Sequence, residues 1–292
     1  MRPTLRQRAG EPIDAHSLAA FRIAFGLLLA WEAVRYLSSG WIERHFVEPA
    51  FHFTYYGFGW VRPPPQPWLD LLFGALGCLG LCIAAGFRTR LAAALFFVGF
   101  AWVFLLEQAR YLNHFYLVLL LALLVAWLPT DGAWSWRAWR EGPRAAPRGA
   151  LWLLRVQLAI VYVYAAIAKL NPDWLQAEPL RSWLWSRREM PVVGPLLAQE
   201  WVAWAMSCAG LLLDLLVVPL LLHRRTRPWA FAAISAFHVG NHFLFDIGIF
   251  PWMAIGATTL FFAPDWPARA EARLRGGRHR SEEHTSELQS RR

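Results

Sequence analysis

The sequence predicts an all-α protein, a polytopic helix bundle that crosses a membrane about eight times with both termini inside. Three observations predict it. Of 292 residues, 57% are hydrophobic and 17% charged, with a positive mean hydropathy of +0.31, which is too apolar for an ordinary soluble domain. The apolar residues fall in eight runs, each long enough or nearly long enough to span a bilayer at about 1.5 Å of rise per residue. The cationic residues, 29 in number for a net charge of +9, sit mostly in short connectors between those runs and in the tails. That distribution fits membrane orientation and argues against a nucleic-acid partner.

Residues 1–15 are polar and basic, carry no cleavable apolar region and read as a cytoplasmic N-terminal tail. The membrane domain then covers 16–267, with spans at 18–37, 68–87, 91–106, 115–128, 151–170, 201–222, 229–245 and 249–262. Nothing alternates with the period of a barrel strand, so the spans are helices. The fourth and eighth are short, and seven or nine crossings also fit. With the N-terminus inside, roughly two arginines lie inside for each one outside. The connector 38–66 is rich in aromatics, closes on Pro63-Pro64-Pro65 and is expected to lie on the outer surface as a lid. The connector 171–199, also outside, carries Trp183 and Trp185. Cys78, Cys82 and Cys208 all lie within apolar runs, so no disulfide framework is expected. Residues 268–292 read as a disordered tail. Within it, 280–290 look like a translated sequencing adapter, and the expectation is that a natural C-terminus is missing.

An ionisable group near the bilayer centre costs at least about 2.5–3.5 kcal/mol, so each one needs a reason. Lys169 is the only lysine in the chain. An amine can lose its proton when desolvated and a guanidinium cannot, so a lone lysine among arginines reads either as a base or as an anchor reaching the membrane surface. Arg22 and Arg155 lie near the cytoplasmic starts of their spans, where snorkelling accounts for them. Lys169 sits about 27 Å along an outward-running span, near the outer interface. His238 and His242 stack at i, i+4 on another outward-running span, near mid-membrane and in the outer half, with Asn241 beside them. Glu107 and the pair Asn113-His114 reach the same side. Asp214, counted from the outer start of its span, falls two-thirds of the way to the cytoplasm and reads as a structural acceptor rather than a partner of Lys169. A metal site built on His238 and His242 needs further histidine clusters, and the nine histidines are scattered; no metal site is expected. No phosphate-binding glycine loop and no Ser or Cys nucleophile motif is present.

Several stretches, taken together, resemble a known family. They are Ser17-Leu-Ala-Ala-Phe-Arg-Ile-Ala-Phe-Gly26, Tyr111-Leu-Asn-His-Phe-Tyr116, Tyr162-Val-Tyr-Ala-Ala-Ile-Ala-Lys169-Leu-Asn-Pro-Asp-Trp174, Leu211-Leu-Leu-Asp214 and the run from Phe237-His-Val-Gly-Asn-His242 to Pro251, closing with Leu260-Phe-Phe-Ala-Pro-Asp-Trp-Pro267. In this order they resemble the vitamin K-dependent gamma-carboxylases and their horizontally transferred transmembrane (HTTM) domain. The resemblance implies a membrane lyase in which an amine base deprotonates vitamin K hydroquinone, or menaquinol in a bacterium. The quinol anion then reacts with O2, the strong base so formed removes a γ-proton from a protein glutamate, and the carbanion captures CO2. Lys169 matches the amine. Asn113, His114, His238, Asn241 and His242 are expected to bind the quinone, and a Glu-containing protein or peptide is expected at the outer face of a bacterial inner membrane. Two departures bear on carboxylation more than on quinol deprotonation. Gly132 stands where the animal enzymes carry a functional histidine, and their mainly β C-terminal region has no counterpart in these residues. Two further readings stay open: quinol oxidation or epoxidation without carboxylation, and passive binding of a lipid or quinone.

Overall fold

The computed structural model describes residues 4–275. The adapter-like stretch at 280–290 lies outside the described residues. The protein is an all-α membrane protein, and a helix lies at each of the eight predicted spans. These are α1 (His16–Ser38), α2 (Gln66–Ala85), α3 (Thr89–Leu105), α4 (Asn113–Trp127), α5 (Arg148–Lys169), α6 (Glu200–Leu222), α7 (Arg227–Leu244) and α8 (Phe250–Thr258). Four of them, α1, α2, α5 and α6, are individually long and apolar enough to cross a membrane, while α3, α4 and α8 are shorter apolar helices. The chain forms two compact units. One runs to Leu151 and resumes at Phe262; the other is Trp152–Phe261.

In the first unit, α1 and α2 meet at glycines. A Cβ added at Gly26 would lie 2.5 Å from both the amide nitrogen of Ala84 and the carbonyl oxygen of Gly80, and one at Gly80 would lie 2.8 Å from the amide of Ala30. Without a side chain at either site the two backbones touch, which is how helices gain dispersion energy where lipid removes the hydrophobic drive. Gly80→Val is therefore expected to destabilise the protein by roughly 1–3 kcal/mol, seen as a lower unfolding midpoint in detergent. An unchanged midpoint would show that the helices can part at no cost.

Arg22 does not snorkel. It is fully buried, and its guanidinium donates to five main-chain carbonyls: Thr130 at 3.1 Å, Ile83 at 2.7 Å, Ala84 at 2.6 Å, Ala133 at 3.5 Å and Trp134 at 2.6 Å. Two of these are at the C-terminal, negative end of α2, and the others lie in the turn after α4. The charge is solvated by backbone dipoles, a convergence that depth counting along one span cannot reveal. Gly86 makes room for it: its φ is +69°, and a Cβ there would lie 2.7 Å from Arg22 Nη1.

The polar ends are more structured than the sequence reading has them. Within the N-terminal tail, Leu5–Gly10 is a helix begun by a capping box between Thr4 and Gln7, and Pro12–Ile13 pairs antiparallel with Ala146–Pro147. Residues 266–275 are helical, reaching into the tail expected to be disordered from 268, and Glu271 accepts from the Trp134 indole at 3.2 Å. The composition Ala268-Arg-Ala-Glu-Ala-Arg explains the helix, with Asp265–Arg269 and Glu271–Arg275 ion pairs one turn apart. Glu107, predicted to join the polar cluster around Lys169, is spent inside the first unit. It accepts from the amides of Phe53 at 3.2 Å and Ala109 at 3.0 Å and pairs with His52 at 3.0 Å, tying down the aromatic connector. In that connector, burial and the nearby Arg110 guanidinium hold His45 below the usual imidazole range.

In the second unit the connector after α5 folds into three short helices, Pro172–Leu175, Leu180–Trp185 and Gly194–Leu197. Ala177, Leu184 and Leu197 form a small core with Val202 and Ala203 of α6, and Leu244 and Phe245 pack against it. The first turns of α6 are thus covered by this connector.

Candidate functional site

The site is built on the end of α5. Asn171 stops one helix and starts the next: its side-chain amide donates to the carbonyl of Ala168 at 2.7 Å, and its oxygen accepts from the amide of Trp174 at 2.9 Å. Pro172 fits the first turn, where no amide donor is needed. Trp174 is then locked to α6, its indole donating to the carbonyl of Ser207 at 3.1 Å while the Ser207 hydroxyl donates to the carbonyl of Trp174 at 2.6 Å. This reciprocal pair of hydrogen bonds sets α6 against the end of α5.

Lys169, the last residue of α5, donates from Nζ to Asp214 Oδ2 at 2.6 Å and to the carbonyl of Ala165 at 3.5 Å, with the Trp174 ring centroid 5.0 Å away. Its side chain is 18% exposed and that of Asp214 5%. The expectation that Asp214 lies too deep to partner Lys169 is overturned. Depth was counted from the start of α6, but the level of Lys169 is met near Gly210, because the helix's first ten residues, about 15 Å, pack on the connector helices.

A second polar group lies two turns back along α5. The Tyr162 hydroxyl is 3.2 Å from His238 Nε2 and 3.4 Å from Thr258 Oγ1, and the Thr258 hydroxyl donates to the carbonyl of Ala254 at 2.7 Å. That arrangement is satisfied throughout when His238 Nε2 donates to Tyr162 and Tyr162 donates to Thr258. It leaves His238 Nδ1, which has no hydrogen-bond partner among the described residues, as an acceptor on a ring that is 1% exposed.

A cavity of about 510 Å³ joins the two groups, lined by Tyr162, Lys169, Trp174, Asp214, His238 and Asn241 with apolar walls from Met206, Phe237, Phe245 and Phe250. Arg187 and Asp246 also line it. Of the predicted site residues, Lys169, His238 and Asn241 are brought together. His242 is exposed, packs edge-on against Trp252 at 5.1 Å and does not line the cavity. At about 100° per residue, the stripe Phe237, His238, Asn241 and Phe245 lies to one side of His238, and His242 falls on the other. Asn113 and His114 belong to the first unit, at the start of α4, whereas the cavity lining comes wholly from the second. Tyr162, Asp214 and Thr258 were missed as site residues. Tyr162 carried a signal, since it stands seven residues before Lys169 on one helix face. Among the described residues, no group of three or more His, Cys, Asp or Glu is placed to hold a metal ion.

A family model described as HTTM domain matches residues 11–266. No solved structure matches the chain.

Proposed function

Because the chain belongs to the HTTM domain family, and its lone lysine lines a mostly apolar cavity, we propose that it is a membrane enzyme that deprotonates a reduced quinone with Lys169 as general base. Vitamin K hydroquinone or menaquinol would enter from the bilayer, in a bacterial inner membrane with the site towards the outer leaflet. When bound, the quinol supplies an acidic hydroxyl, and its oxidation by O2 would supply the free energy for removing a glutamate γ-proton, after which CO2 adds to the carbanion. The observation that carries this reading is the spacing of polar groups along one wall. Lys169 and Tyr162 stand about 10 Å apart along α5, which suits a ring with hydroxyls at opposite ends hydrogen-bonded at both. Lys169 would take the proton at one end, with the polar group of Tyr162 and His238 at the other. A volume of about 510 Å³ is of the size that ligand pockets have.

Carboxylation of a glutamate needs an anionic side chain to approach. Arg181 is paired with Glu178 and Glu200, and Arg188 with Glu189, but Arg187, which lines the cavity, has no carboxylate within 4.0 Å among the described residues. Arg187 would receive the substrate carboxylate. Arg187→Ala is then expected to raise KM for a Glu-containing peptide about tenfold, the worth of one charge-assisted hydrogen bond. The deciding assay for the function is incorporation of radiolabelled CO2 into that peptide by purified protein, with and without quinol. Absence of both label and quinol consumption would leave passive lipid or quinone binding.

One observation favours quinol oxidation without carboxylation. A Cβ at Gly132 would lie 2.5 Å from the carbonyl oxygen of Arg144 and 2.6 Å from Ala15 Cβ, so the chain has neither the animal enzymes' imidazole nor room for it there. Quinol consumption with an unlabelled peptide would select that reading.

A further inference from the structure

We propose that Asp214 is the positioning residue of Lys169, aiming the lone pair of the amine into the cavity and balancing the charge that forms there; this rests on the reading of Lys169 as a base. A tetrahedral amine nitrogen has three directions besides its own carbon. Two are engaged, by Asp214 Oδ2 at 2.6 Å and by the carbonyl of Ala165 at 3.5 Å. The third meets no hydrogen-bond acceptor among the described residues, and Lys169 lines the cavity. Asp214 cannot swing away without losing its partner, since its side chain is 5% exposed, and Trp174 covers the amine from the side. The helix carrying Asp214 is itself pinned to the Lys169 segment by the reciprocal Trp174–Ser207 bonds. The charge-assisted pair first releases the ammonium proton to solvent, which reaches the 18% exposed Lys169 side chain. An acidic hydroxyl then gives up its proton: its O–H bond breaks, a third N–H bond forms again on Nζ, and the electron pair stays on the ligand oxygen. The resulting ammonium lies between that oxyanion and the Asp214 carboxylate, and no proton has to leave the pair in that step.

The sole lysine makes the pair directly readable. An amine-specific acylating reagent can modify only Lys169 and the α-amino terminus, and the latter serves as an internal reference. In Asp214→Asn, and in the smaller Asp214→Ser run beside it, acylation of Lys169 relative to the terminus is expected to rise at least about tenfold, because the charge-assisted bond is gone. Asp214→Glu is expected to keep the slow rate. In parallel, quinol turnover is expected to lose about tenfold or more in kcat for Asp214→Asn, with KM little moved, and to be rescued in Asp214→Glu. Acylation at the wild-type rate in folded neutral variants overturns the proposal. So does a wild-type Lys169 that acylates as fast as a free lysine derivative in the same detergent. Faster acylation of the neutral variants in a protein that consumes no quinol would keep the pairing and overturn the enzymatic reading instead.

Discussion

Lys169→Ala is expected to abolish quinol-dependent turnover, by about 100- to 10,000-fold, the usual contribution of a general base. That variant also leaves Asp214 as a buried carboxylate without its partner, at a cost on the order of 3–5 kcal/mol, so lost activity in it alone would not separate chemistry from folding. Lys169→Arg makes the separation. A guanidinium keeps the positive charge beside Asp214 but does not give up its proton at any working pH. The arginine variant is therefore expected to fold with nearly the stability of the parent and yet to be as inactive as the alanine one. Quinol consumption followed by absorbance, with the unfolding midpoint measured on the same preparation, reads both properties. An arginine variant that turns over quinol at the parent rate would show that Lys169 supplies charge rather than a base.

The second large effect is expected far from any chemistry. Arg22→Met removes the guanidinium's bonds to five main-chain carbonyls, two of them at the end of α2, where that of Ile83 keeps the amide of Gly86 as a donor. Leaving a buried acceptor unpaired costs about 1–3 kcal/mol, and a whole domain is stable by only about 5–15 kcal/mol. The variant is expected to give no monodisperse protein in detergent. Arg22→Lys, with three donors in place of five, is expected to fold with a clearly lower midpoint. Size-exclusion profiles and thermal unfolding check both. A methionine variant with the parent's midpoint would mean that the carbonyls find other donors and that the guanidinium is not what ties α2 to the turn after α4.

The helices were legible because the apolar runs are continuous, most of them are long, and polar or helix-breaking residues bound them, and in a bilayer the backbone can satisfy its hydrogen bonds in few other ways. The same logic marked Lys169 and His238 as residues that need a reason. It failed where a group's partner comes from a distant part of the chain. Arg22 reads as a snorkelling side chain until the end of α2 and the turn after α4 are folded round it. Glu107 reads as a site residue until the aromatic connector supplies two amides and His52.

By itself, then, the sequence determined the eight helices, the lone amine at the end of α5 and the family to which these motifs belong. Tertiary structure alone decided what that amine faces. Depth along a helix is a local quantity, readable at about 1.5 Å per residue. The register between two helices is set by the contacts that join them, here Trp174 with Ser207, and those contacts bring Asp214 to within 2.6 Å of Lys169.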